Sequence, residues 1–124
     1  MYKRQCSAAR NDLKGIMLVN SGVENENIEK TKEAVIDQLE EIKNGNFTNE
    51  DINFAEMAIK NDFKSVADSA GNVSNWYFDC IRKNDIVTPE EKLGRYLGVS
   101  KERIIAAAKS MVLDSVYVLT GNEN

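Results

Sequence analysis

The chain has no histidine. That absence removes the commonest zinc ligand, the commonest general base and every Ser-His or Cys-His nucleophile pair. Cysteine is scarce: Cys6 and Cys80 stand far apart, with no spacing that suggests a zinc site or a disulfide framework. They read as two reduced thiols of a cytoplasmic protein. No apolar run approaches the roughly 20 residues of a membrane-spanning helix, and no apolar segment near the start resembles a secretory signal. Positive charge is in deficit, with 16 Lys and Arg against 20 Asp and Glu and a net charge of −4. A nucleic-acid binder gains much of its affinity by neutralising phosphates, so this balance argues against one.

Phosphate-binding glycine patterns are missing too: no G-x-G-x-x-G appears, and Gly71, Gly94 and Gly98 do not form a phosphate loop. The acidic pairs Glu40-Glu41 and Glu90-Glu91 are neighbours in helical stretches. Adjacent side chains on a helix point apart, so neither pair can share a metal or a proton. Asp62 and Asp79 lie beside apolar stripes and read as exposed or capping groups. No catalytic, cofactor-binding or metal-ligating residue is assigned.

What is present is an ordinary globular balance, 42% apolar and 29% charged over 124 residues, the size of one domain or part of one. Lys14 to Val23 reads as a strand: Ile16 and Leu18 point one way, Met17 and Val19 the other. With both sides apolar, such a strand should be covered on both faces. CSAARND before it reads as the tail of an earlier strand, with NDLKG as the turn.

From about Glu24 to Lys43 the period becomes helical, with Ile28, Val35, Leu39 and Ile42 on one stripe, Ile36 beside it, and Asn44-Gly45-Asn46 as the stop. Thr48-Asn49-Glu50-Asp51 predicts a capping box, with Phe47 placed to staple onto Ile52. The helix it opens carries Ile52, Ala55, Ile59, Phe63 and Val66, and Ala70-Gly71-Asn72 should break it. A third helix, about Asn72 to Lys83, places Val73, Trp76, Tyr77, Cys80 and Ile81 on a core stripe. Thr88-Pro89-Glu90-Glu91 starts a short helix to about Leu97. Ser100 caps another, from Lys101 to about Val112, that should bury Ile104, Ile105, Ala108 and Met111. Leu113 to Gly121 reads as a closing strand.

The expected fold class is therefore α+β: strand, five helices, strand. Two strands do not make an independently stable sheet. The pattern calls for a larger mixed sheet with helices on one face and its remaining strands upstream. MYKRQ fits none of this and resembles the in-frame translation of a transposon end used in sequencing libraries. On that reading residues 1–5 are an artefact, and residues 6–124 are the C-terminal part of a single domain.

KLGRYLGVSKERI, Lys92 to Ile104, has the look of a helix-turn-helix. Gly98 would sit at the turn, and Gly94 would let the helices approach. Leu93, Leu97, Val99 and Ile104 would pack the angle. The exposed face of the second helix offers Ile105, Ala106 and Ala107, which are poor readers of base edges. A DNA-binding regulator built on 92–112 is kept as an alternative, as is a free-standing helical adaptor.

LEEIKNGNFTNEDINFAEMAIKNDFKSVADSAGNVSNWYFD resembles the C-terminal half of the insulinase/pitrilysin family of zinc peptidases and their processing-peptidase relatives. KGIMLVNSGVENENIEKTKEAV resembles the strand-helix unit before it there, and TPEEKLGRYLGVSKERIIAAAKSMVLDSVYVLTG the family's closing segment. Each motif alone is weak; their order and spacing over Lys14 to Gly121 carry the resemblance. The pattern is closest to bacterial homologues without peptidase activity, some linked to aminopentanol modification of elongation factor P.

The resemblance implies an α+β half that faces another across a chamber. The family's His-x-x-Glu-His zinc motif belongs to the other half, and nothing of it can be placed on a chain without histidine. The substrate-gripping Arg and Tyr of active members are not assigned either: Tyr2 lies within residues 1–5, and Arg10 in a strand or turn. The expected partners are the upstream half of the same protein or a paired insulinase-like subunit, with peptide held by the intact protein, and neither nucleic acid nor membrane.

Overall fold

The computed structural model describes residues 6–11 and 14–121, with the side chain of Cys6 left aside. The reading of residues 1–5, and the middle of the NDLKG turn, lie outside the described residues. The chain is α+β, with five α-helices and a two-stranded antiparallel sheet among the described residues. It divides into two compact units: one holds the residues up to Asn44 and from Ile105 on, the other Gly45–Ile104.

In the first unit, β1 (Cys6–Asn11) pairs antiparallel with β2 (Ile16–Ser21), Cys6 opposite Ser21 and Asn11 opposite Ile16. The earlier strand is thus the full partner of the strand expected at 14–23. Asn11 Oδ1 accepts the Lys14 N–H at 3.2 Å, and Gly15 turns the chain at φ +62°. That left-handed backbone suits a residue without Cβ. Contrary to the expectation of cover on both faces, every residue of β2 is exposed.

A single 3-10 turn, Asn25–Asn27, leads into α1 (Ile28–Lys43). Its stripe is half-buried at Ile28, Val35, Ile36 and Leu39, while Ile42, expected on the same stripe, is exposed, and charged residues make up most of the rest. Glu40 to Lys43, at 2.7 Å, sets a cation in the last turn, where the helix dipole favours it. The stop falls where Asn44-Gly45 stands, and Gly45 takes the left-handed conformation at φ +76°.

Residues 113–121 form no ladder, which corrects the closing strand read there. Alternation of Val116 and Val118 with Tyr117 and Leu119 suits a strand, but a strand exists only through a neighbour's hydrogen bonds. The helix before it, α5 (Lys101–Lys109), also stops short of Val112. The Ser110 hydroxyl donates back to Ala107 O at 2.7 Å, and the last backbone bonds tighten, Met111 N to Ala108 O at 3.0 Å. A serine that bonds its own helix's carbonyls competes with continuation. Of the α5 residues expected inside, Ala108 is buried, while Ile104, Ile105 and then Met111 are half-buried.

The second unit opens with α2 (Asn49–Ser65), whose capping box is complete. Asp51 N–H donates to Thr48 Oγ1 at 3.2 Å, and Thr48 N–H donates to Asp51 Oδ2 at 2.7 Å. A 3-10 turn, Val66–Asp68, follows. The break falls at Ser69, extended at φ −150° and ψ 151°, and not at Ala70-Gly71-Asn72, which already belong to α3 (Ala70–Lys83). Ser69 Oγ accepts the Asn72 N–H at 3.1 Å, and Asn72 Nδ2 donates to Ser65 O at 3.0 Å. A serine N-cap thus sets the boundary.

The α3 stripe is narrower than its periodicity implied. Cys80 is buried and Trp76 half-buried, but Val73, Tyr77 and Ile81 are exposed. Asn84 ends the helix in the left-handed region, φ 53°. Then α4 (Pro89–Tyr96) begins with a second reciprocal box, Glu91 N–H to Thr88 Oγ1 at 3.1 Å and Thr88 N–H to Glu91 Oε2 at 2.9 Å.

Aromatic rings join these helices. Phe63 of α2 meets Trp76 of α3 edge-on at 5.3 Å and Tyr96 of α4 at 5.7 Å. Such tilted contacts favour the edge of one ring against the face of the next. The indole N–H of Trp76 donates to Val87 O at 2.9 Å, which satisfies its polar end and ties the loop before α4 to α3.

Candidate functional site

Two features could carry a function: the corner between α4 and α5, and the apolar surface of the first unit. The corner is built as a turn should be. Leu97 N–H still bonds Leu93 O at 3.2 Å, Gly98 then reverses the backbone at φ +71°, and Ser100 Oγ accepts the Arg103 N–H at 3.3 Å. Leu93, Leu97, Val99 and Ile104 are half-buried, in keeping with an angle packed by aliphatics.

Gly94 does not have the role read for it. A Cβ added there would meet nothing within 4 Å, so among the described residues of this unit no helix approaches through that position.

The polar groups of the corner are spent on the fold. Glu56 of α2 accepts the Gly98 N–H at 2.9 Å. Lys101 Nζ donates to Phe47 O at 2.6 Å and stands 4.6 Å from the centre of the Phe47 ring. One ammonium thus makes a hydrogen bond and a cation–π contact at the start of α2. The ring expected to staple onto Ile52 carries Lys101.

Nearby, Asp85 Oδ2 accepts from both Lys92 Nζ and Arg95 Nη1 at 2.7 Å. These bonds, Lys92 first, hold its carboxyl below the ordinary aspartate range. The Glu102 carboxyl is lowered as well, by its own backbone N–H and by the Ser100 hydroxyl, so an anion stays at the start of α5. The exposed side of α5 then shows Glu102, Arg103, Ala106, Ala107 and Lys109. Arg103 and Lys109 are the cations on this side; Glu102 offsets one of them, and the two alanine methyl groups offer base edges no hydrogen bond.

Two further aspartates are tied to neighbours in the same way. Asp79 bonds Lys83 and Arg82, each at 2.7 Å, and both lower its pKa. Asp51 is lowered by the Thr48 backbone N–H first and its hydroxyl second. These are caps and surface pairs, not acids raised toward neutrality for proton transfer. Among the described residues no group of three or more Cys, Asp or Glu could hold a metal ion, and no helix is long and apolar enough to cross a membrane.

The other feature is plain hydrophobicity. Ile16, Met17, Leu18 and Val19 are exposed on both faces of β2, Leu18 at 57%. In the same unit Val112, Leu113, Val116, Tyr117, Val118 and Leu119 are exposed, Tyr117 at 85%. Scattered exposed aliphatics are normal, but a contiguous apolar strand surface marks an interaction site.

No protein-family model matches the chain. The chain is similar to a bacterial metalloprotease homologue. That relative is the "Probable inactive metalloprotease YmfF" of Bacillus subtilis (strain 168), 31% identical over 110 residues that cover 89% of this chain and 26% of the relative. The chain therefore spans about a quarter of the length of the curated protein it matches. Its fold is that of a region in the crystal structure of a conserved protein from Enterococcus faecalis V583. The TM-score is 0.68 and the identity 24%, over 84% of this chain and 25% of that one. The metalloprotease likeness read in the sequence thus has a counterpart that is itself named inactive.

Several residues that organise the structure carried no signal in the sequence. Tyr96 enters the aromatic cluster from a helix too short to show a period. Glu56 reaches Gly98 from 42 residues away, and Lys101 reaches Phe47 from 54. Asp85, in the loop after α3, gathers two cations from α4.

Proposed function

We propose that this chain is a non-catalytic part of an insulinase/pitrilysin-like peptidase homologue, serving as chamber wall or interaction surface in an intact, cytoplasmic protein. On this reading residues 6–124 are the C-terminal part of one insulinase-like α+β domain. The similarity over 89% of the chain to a protein named as an inactive metalloprotease carries the proposal. The exposed apolar faces of β2 support it, since a strand of this composition suits a larger sheet covered on both sides. Its partner is then the upstream half of the same protein or a paired subunit of the same type. Any peptide substrate belongs to the intact protein, and this chain contributes shape and not chemistry.

The DNA upstream of the Cys6 codon tests the fragment reading. An open frame that encodes further alternating strands is the expected result. A ribosome-binding site directly before Met1 would overturn it. Catalysis is tested separately, by incubating the purified chain with zinc and an unfolded protein substrate. No cleavage is expected; zinc-dependent cleavage that a chelator abolishes would sink the non-catalytic role.

A further inference from the structure

We draw no further inference here: the strongest candidate, the uncharged strand Ile16–Ser21 with apolar residues exposed on both faces, is an unpartnered surface, and nothing in the structure shows what covers it beyond the scaffold role already proposed.

Discussion

Gly94 and Gly98 stand in one short segment, yet a methyl group should act on them in opposite directions. Gly98 sits at φ +71° with open space around it, so the cost of Gly98→Ala is purely backbone strain. A left-handed alanine costs about 1–2 kcal/mol. Gly94 lies inside α4 with nothing within 4 Å of a built Cβ. Gly94→Ala should therefore stabilise by about 0.5–1 kcal/mol, the helix-interior difference between the two residues. Urea denaturation of both variants checks the pair, and a destabilised Gly94→Ala would mean that a helix does pack there after all.

The aspartates give a second residue-level expectation. Asp51, Asp79 and Asp85 all have pKa values lowered from 3.8 by their hydrogen-bond partners. A carboxyl depressed in the folded state adds stability that is complete above its unfolded pKa. That stability fades as pH falls through the folded value. The melting temperature should be flat above about pH 5 and decline below about pH 4. Asp85→Asn should flatten that acid limb from its neutral end, lowering the melting temperature at pH 7 slightly and leaving it unchanged in acid, the effect being small because exposed pairs contribute little. An unchanged acid limb would show that the Lys92 and Arg95 bonds do not persist in solution. Gly98's turn was legible in the sequence because left-handed backbone has a residue preference. The absence of a neighbour at Gly94 was not, since it depends on where other helices lie.

Element starts were the most legible feature of the chain, because capping is chemistry among four consecutive residues. The box of Thr48 with Asp51 forms as read, and the helix start read at Thr88 proves to be a second box, with Glu91. Thr48→Ala should cost about 1 kcal/mol, as loss of a threonine cap does. It should also relieve part of the depression of the Asp51 pKa, since the Thr48 hydroxyl is one of that carboxylate's donors. Carboxyl titration by NMR reads the second effect independently of stability; an Asp51 pKa unmoved in the variant would contradict the geometry. Element ends and faces were harder to read. Ser69 displaced the expected break by capping α3 early, and Ser110 stopped α5 short of Val112. Val73, Tyr77 and Ile81 kept a helical period without being covered. Periodicity tells which residues share a face; what lies against that face is set elsewhere in the chain or in another one. The stretch 113–121 makes the same point for strands, since it alternates but forms no ladder among the described residues.

At the scale of the molecule the notable fact is how little is buried: Cys80 and Ala108 are the apolar residues that count as buried among those described, and neither is wholly so. A domain of this size ordinarily removes well over half of its unfolded surface from water. Exposed hydrophobic side chains include Phe54, Met57, Phe78, Ile81 and Ile86 in the second unit, and form two runs in the first, β2 and the apolar stretch after Ser110. Neither segment carries the lysines that guard natural sheet edges: β2 has no charged residue, and Asp114 is the only one between Met111 and Gly121. The purified chain should therefore bind an apolar dye and associate with rising concentration. Leu18→Lys places a charge on the β2 surface at a residue that is 57% exposed. It should lower dye binding and shift the sedimentation profile toward monomer while leaving the helical circular-dichroism signal intact. Under the scaffold proposal the same substitution in an intact parent protein has the opposite consequence. There Leu18 faces other strands or helices, and a buried lysine without a partner destabilises by several kcal/mol, on the order of the cost of an unpaired buried charge. If Leu18→Lys melts the helices of the isolated chain, β2 is already covered by its own polypeptide, and the case for a missing sheet collapses.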